Sequence, residues 1–408
     1  MKFLKKIKRC RICNSKNVSR VLNLGKSPIG ENFKKKKIKD KLFNLNLQQC
    51  KNCGLCQIED VIDPRILYKD YLYQSNTSTY LDKHFSNYAK KVSKFLKLKK
   101  NSIILDIGSN DGMLLSKFKK NGYKVIGIEP AKEIARIANN RNIQTIHSFF
   151  NDKTTDFILK KEKKISLVTA NNVLANIDDI NSWLKNIKKI ILKDGFFVFE
   201  SFYLKDVIKN KVLDFIYHEH LSIFSIKCIK YLCKLHSLKL VNVEAVNTKG
   251  GSLRYYICSK KNKFKINSSI KQFEKKEITY KCFKISTFKK LEIKINENKN
   301  KINYLLSKIK NSNDILGLGS SISCITLIYF LGIQNKLKIL LDDNKIKHRM
   351  FSPGSNIRVL NPKNFKYSRN QTILILAWRF KKILLKKYRS RFKGKILNIW
   401  PKIEYEKN

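Results

Sequence analysis

The sequence predicts an α/β protein in three parts: a small cysteine-rich module, a Rossmann-like domain, and a second Rossmann-like domain at the C-terminal end. Three observations carry this. Two Cys-x-x-Cys pairs, Cys10–Cys13 and Cys50–Cys53, bracket the first part. From Ser102 to Cys258, short apolar runs alternate with helix-like stretches, starting from a glycine turn with an acid downstream. A further run–glycine turn–helix unit opens at Asp314. The chain of 408 residues suits two or three domains of roughly 100–200 residues each. Its 43% hydrophobic residues can build sizeable cores and exclude wholesale disorder. The boundaries are read as 1–70, 71–262 and 263–408.

Charge does not decide the function. Lys and Arg number 86 against 31 Asp and Glu, a formal net charge of +55. Such a balance would suit nucleic acid. The basic residues, however, run from end to end, and Lys34–Lys37 is one short cluster among many. That diffuseness points to solvated faces filled with Lys, Asn and Ile under an AT-rich coding bias, with no specific nucleic-acid partner. Residues 1–10 are basic but lack the apolar core of a signal peptide. The apolar stretch Ile315–Ile333 is interrupted by glycines and hydroxyls and reads as strand, turn and helix, not as a membrane span. The expectation is a cytoplasmic protein whose ten cysteines serve metal or remain free thiols.

The first element to justify is the cysteine module. The two pairs lie thirty-six residues apart, and each forms a tight thiolate knuckle. Cys10, Cys13, Cys50 and Cys53 together complete a closed tetrahedral Zn²⁺ site with no open position, so the metal is structural. Gly54 suits the left-handed turn of a knuckle, whereas the spacing of Cys56 breaks the paired arrangement. Metal should supply much of this module's folding energy. The following segment, Tyr68 to Ser78, is dense in tyrosines and hydroxyls. It either decorates the surface or caps a pocket that reads a polyhydroxy ligand.

The central domain opens with an apolar run from Ser102 that ends in Leu105-Asp106-Ile107-Gly108-Ser109-Asn110-Asp111-Gly112. The next strand, Lys124–Glu129, ends in an acid about twenty residues past Gly108, where a carboxylate chelates two ribose hydroxyls. No Gly-x-Gly-x-x-Gly phosphate cradle is present. Asp106 and Asp111 are poor neighbours for a pyrophosphate and good ones for a sulfonium and its amino group. The turn therefore favours S-adenosylmethionine over a dinucleotide, with Asp106, Gly108, Asn110, Asp111, Glu129 and Asn171 as the binding set. Ile165–Ala170 and Gly195–Glu200 continue the strands. Ser237–Val246 and Ser252–Cys258, around Gly250-Gly251, close the sheet as a hairpin-like pair, the methyltransferase version of a doubly wound fold.

Within this domain lies Phe215-Ile216-Tyr217-His218-Glu219-His220-Leu221-Ser222, in a chain with only 6 His. His-x-His at this spacing lacks further metal ligands nearby. General-base chemistry fits better: an imidazole can be tuned near neutrality, and Glu219 or Tyr217 can orient it. Phe288, Leu291, Ile295 and then Ile302, Leu305, Leu306, Ile309 mark one or two amphipathic linking helices. The last domain reads as a glycine turn at Gly317–Ser321 opening a helix suited to anions, with strands at Lys338–Leu341 and Ile373–Trp378.

Together these residues resemble the S-adenosylmethionine-dependent C-methyltransferases that act on nucleotide-linked 4-keto deoxysugars. The resemblance spans essentially the whole chain and rests on Cys53-Gly54-Leu55, the Asp106–Gly112 turn, Gly127-Ile128-Glu129-Pro130 and Tyr217-His218-Glu219-His220. It continues through Gly250–Arg254, Asp342-Asp343-Asn344 and Pro353-Gly354-Ser355. It implies a class I methyltransferase domain, a C-terminal domain that binds the nucleotide sugar, and a catalytic base at His220 beside Glu219 and Tyr217. It also implies a sugar-lining tyrosine, Tyr71 first and Tyr73 second. Two positions depart from the pattern: Asn176 stands where relatives often carry a histidine, and Arg379 where an asparagine is expected. Two other classes compete. An RNA methyltransferase would use the basic surface and the zinc module but has no evident use for the C-terminal domain. A non-catalytic binding protein would need the intact turn or the Tyr217–His220 cluster to be vestigial.

Overall fold

The computed structural model describes residues 4–67, 79–162, 164–191, 193–309, 311 and 314–406. Tyr71 and Tyr73 lie outside them. The central sheet has seven strands in the order Leu238–Val246, Ser252–Ser259, Phe196–Phe202, Leu167–Thr169, Ile103–Ile107, Lys124–Glu129, Thr145–His147. The last five in that order run parallel, and the first two form the antiparallel closing pair that the sequence predicts. Phe196–Phe202 is buried along its whole length because helices cover both faces of a parallel core.

The C-terminal sheet has six strands, ordered Arg358–Leu360, Ile339–Leu341, Ile315–Leu318, Thr372–Ile375, Lys395–Asn398, Glu404–Glu406, with only the last antiparallel. The strand order reverses around Ile315–Leu318, the switch point where doubly wound sheets open a crevice. The run expected as strand through Trp378 stops at Ile375. Beyond it the chain bends into a short 3₁₀ turn, Trp378–Phe380, which lets Trp378 Nε1 and Arg379 Nη1 donate to Asp214 at 3.2 and 3.0 Å. The linking segment forms two helices, Ser269–Thr279 and Ile285–Ser307, and Phe288, Leu291, Ile295, Ile302 and Leu306 are buried at helical spacing. No helix among the described residues is long and apolar enough to cross a membrane.

The three parts are stitched together where the Tyr217–Leu221 loop runs. Directly after it, Ser222–Ile223 joins the edge of the four-stranded sheet of the cysteine module, pairing with Cys56–Ile58. The buried Arg11 donates to the carbonyls of both Ile58 and Leu221, at 3.1 and 3.2 Å. On the other side, Trp400 is buried and donates Nε1 to the Lys211 carbonyl at 2.8 Å. The loop is therefore held from the N-terminal module and flanked by the C-terminal domain.

Candidate active site and metal centre

The four module cysteines converge. Their sulfurs lie within 4.8 Å of one another, with Cys10–Cys53 at 3.4 Å and Cys13–Cys50 at 3.5 Å. Four Zn–S bonds of about 2.3 Å in a tetrahedron put sulfurs roughly 3.8 Å apart, so the cluster fits the ion. Both knuckles close the same way: Asn14 (φ 54°) and Gly54 (φ 80°) are left-handed, and their N–H groups reach the Cys10 and Cys50 carbonyls. Cys56 stands apart, fully buried and accepting from Gln49 Nε2 at 3.4 Å.

A cavity of about 1280 Å³ opens at the C-terminal ends of the central strands. At one end lies the glycine turn. Gly108 (φ 67°) donates to the Ile128 carbonyl at 2.8 Å, and a Cβ there would stand 2.5 Å from Val173 Cγ2. Glu129 accepts from the Asn110 and Ala131 N–H groups at 3.0 and 2.9 Å. Burial raises its pKa. Burial also pushes Asp106 up to about 7, although the Thr169 hydroxyl at 2.6 Å opposes the shift. Asn171 Oδ1 accepts from the Glu200 N–H, while its buried Nδ2 has no partner among the described residues. An orphaned donor, carboxyls and a bare glycine approach suit a cationic, polar cofactor such as S-adenosylmethionine.

Asp106, Gly108, Asn110, Glu129 and Asn171 line this end. Asp111 does not. Its carboxylate pairs with Arg141 at 3.1 Å and is fully buried, because Asn110 and Gly112 on either side take positive φ and turn it behind the strand end.

At the other end, Tyr217, Glu219 and His220 line the cavity. His220 Nδ1 lies 2.8 Å from the Phe215 carbonyl. A carbonyl only accepts, so Nδ1 carries the hydrogen and Nε2 keeps the lone pair. Tyr217 stacks on the imidazole at 4.0 Å, with Phe202 and Phe215 at 4.8 and 6.0 Å. Burial first, and then the Lys249 charge, lower the His220 pKa well below its ordinary value. Glu219 does not orient His220, contrary to the sequence expectation. Both its oxygens are buried without a hydrogen-bond partner among the described residues, and burial pushes it up to about 7. The Phe215 carbonyl does the orienting, because the turn places it nearer than any side chain. His218 faces away, bonding the Asn44 carbonyl, and burial pushes it down to about 4.

The C-terminal domain closes the cavity with Ser321, Asp342, Lys347 and Arg379. Its glycine turn is less anion-ready than expected, because Asp342 Oδ2 already takes the Ser320 N–H at 2.6 Å. Lys347 pairs with Glu31 at 3.0 Å, and Arg379 pairs with Asp214 at 2.7 Å while lying over Phe215. Asn176 also lines the cavity, with an amide that cannot titrate. Sequence reasoning missed Lys249, whose signal was the Lys-Gly-Gly turn between paired strands. It also missed Glu31 and Lys347, which lie 316 positions apart and leave no local signal.

Residues 10–68 match a zinc binding domain family model, residues 80–243 a methyltransferase domain, and residues 247–399 a C-methyltransferase C-terminal domain. The chain is 24% identical over 383 residues to the C-methyltransferase NovU of Streptomyces niveus, covering 93% of this chain and 91% of that one. An uncharacterized methyltransferase of Alkaliphilus oremlandii is 32% identical over 122 residues, 28% of this chain and 54% of its own length. The plantazolicin methyltransferase BpumL in complex with SAH matches 45% of this chain and 87% of its own, at 14% identity and a TM-score of 0.36. The cofactors are S-adenosylmethionine in the central domain and a structural zinc ion in the cysteine module. Zinc binding, methyltransferase and C-methyltransferase C-terminal domains thus follow one another along the chain, the make-up of an S-adenosylmethionine-dependent methyltransferase.

Proposed function

We propose that the protein transfers the methyl group to the carbon beside the ketone of a nucleotide-linked 4-keto deoxysugar. One observation carries the reading: a single cavity runs from the glycine turn past His220 to the C-terminal sheet. Ligand pockets are commonly about 300–1,000 Å³, so 1280 Å³ leaves room for a second ligand beside the cofactor. Bound S-adenosylmethionine supplies an electrophilic methyl group. Asp106, Gly108, Asn110, Glu129 and Asn171 hold it, and the division into modules 1–70, 71–262 and 263–408 gives the sugar nucleotide the C-terminal wall. A carbon beside a ketone becomes nucleophilic once a base removes its proton. His220 is that base: neutral, with Nδ1–H fixed on Phe215 and the lone pair on Nε2. Stacking by Tyr217 holds the ring plane. Glu219, buried and without a hydrogen-bond partner among the described residues, is about half protonated at neutrality, and in that form it offers a donor to the sugar. Tyr71 belongs to the same proposal as a sugar contact.

The test is solvent deuterium exchange at the ketone's neighbouring carbon, followed on a panel of nucleotide 4-ketosugars. Wild-type protein should exchange that position. His220→Asn, which keeps shape but not the titratable ring, should lose exchange and methyl transfer together while still binding cofactor. Exchange at the wild-type rate in the variant would move the base elsewhere.

A further inference from the structure

We propose that Lys249 is a second catalytic group of this reaction, its ammonium receiving the negative charge that builds on the ketone oxygen while His220 takes the proton. The inference rests on the ketosugar reading above. Lys249 sits in the turn joining Leu238–Val246 to Ser252–Ser259, where Lys249, Gly250 and Gly251 take φ of 50°, 83° and 128°. Three successive positive φ values fold the turn over the cavity, and a Cβ on Gly251 would meet Asp206 Cβ at 2.6 Å. Lys249 Nζ thereby comes to 3.4 Å from His220 Nε2 and 5.5 Å from the Phe215 ring centre. Since Nε2 has only a lone pair to offer, the ammonium is the donor.

The other long cations of the cavity already carry a carboxylate: Lys347 has Glu31 and Arg379 has Asp214. Among the described residues, Lys249 has none. A cation without a counter-charge beside the base is matched to an anion that exists only during reaction. The step balances. The ketone oxygen takes the ammonium in place of the imidazole, which frees Nε2. The α C–H bond then breaks, its proton goes to Nε2, its electron pair forms the carbon–carbon double bond of the enolate, and the carbonyl π pair moves onto the oxygen. One imidazolium and one enolate appear together.

The titratable and charged groups around Lys249 are His220 on the Tyr217–Leu221 loop and Arg379 on the Trp378–Phe380 turn. Glu219 and Asp206 line the same cavity, the latter paired with Lys205 at 2.8 Å. Withdrawal from water, then the Arg379 charge, lower Lys249 to about 7. The ammonium is the working form, so activity must fall as pH rises through that value.

The probes are thymidine- and uridine-diphosphate-linked 4-keto-6-deoxyhexoses in D₂O, with exchange at the neighbouring carbon read by NMR against pH. Wild-type exchange should decline above about pH 7. Lys249→Arg, whose guanidinium stays charged, should carry exchange at least about two units further into alkali. Lys249→Met should lose about 100-fold or more while binding S-adenosylmethionine as the wild type does. Exchange that survives Lys249→Met, or an alkaline limb unmoved by Lys249→Arg, overturns the role of Lys249 alone. Wild-type protein that exchanges neither probe overturns the substrate reading and this assignment together.

Discussion

Arg254→Met should be among the most damaging single changes in the central domain, and the reason is a buried charge. Arg254 faces Glu200 across the antiparallel pair Phe196–Phe202 and Ser252–Ser259, with side chains only 4% and 1% exposed. Its guanidinium donates twice to Glu200 Oε1, at 2.9 and 2.7 Å, and once to Glu244 at 3.0 Å, with its centre 4.2 Å from the Tyr88 ring centre. Burial works against the Glu200 carboxylate, but His84 at 2.8 Å and Arg254 together bring its pKa below the ordinary value. Methionine fills much of the space but leaves Glu200 Oε1 without its donors and the carboxylate with His84 alone. Breaking a buried pair from one side costs about 3–5 kcal/mol. At 2–4 °C per kcal/mol for a domain of roughly 150–250 residues, the melting temperature should fall by roughly 6–20 °C. Thermal and urea unfolding of Arg254→Met, Glu200→Gln and the double variant would measure it. Removing the charge with Glu200→Gln should recover about half or more of the loss. A single-variant loss below about 1 kcal/mol, or a second substitution that only deepens it, would refute the buried-charge account. Glu200 also lines the cavity and donates its N–H to Asn171, so cofactor affinity should weaken in step.

Cys10→Ser should strip zinc from the purified protein and Cys56→Ser should keep it, read by metal analysis; the opposite pattern would reassign the ligands. Asp106, raised to about 7 by burial, is partly protonated in the cofactor-free protein. A cation beside it favours the carboxylate, so S-adenosylmethionine should bind more tightly from pH 6 to 8 and release protons as it binds, measured by calorimetry in buffers of different ionisation heat. Asp106→Asn should flatten that dependence, and a flat wild-type profile would count against Asp106 as a cofactor contact.

What could be read from the sequence was what is local in it. The cysteine knuckles, the Gly108 turn, the acid at Glu129 and the Gly250-Gly251 hairpin each place their chemistry within a few residues. Periodicity found the Phe288–Leu306 stripe for the same reason. What escaped depends on contacts between distant segments. Asp111 belongs to the turn motif, yet Arg141, thirty positions on, takes its carboxylate. Glu219 neighbours His220 in sequence, but a tight turn gives the imidazole to the Phe215 carbonyl. The strand expected through Trp378 is cut short because Asp214, 164 positions away, captures the indole. The pairing of Glu31 with Lys347 and the approach of Lys249 to His220 exist only once three sheets are assembled.

The most direct measurement is the position of the transferred methyl group. Protein incubated with methyl-¹³C S-adenosylmethionine and a nucleotide-linked 4-ketosugar should give a product whose labelled methyl shows one-bond carbon–carbon coupling to the ring carbon beside the ketone. A label bound to oxygen, or found on RNA with no sugar product, would contradict the function proposed for this cavity.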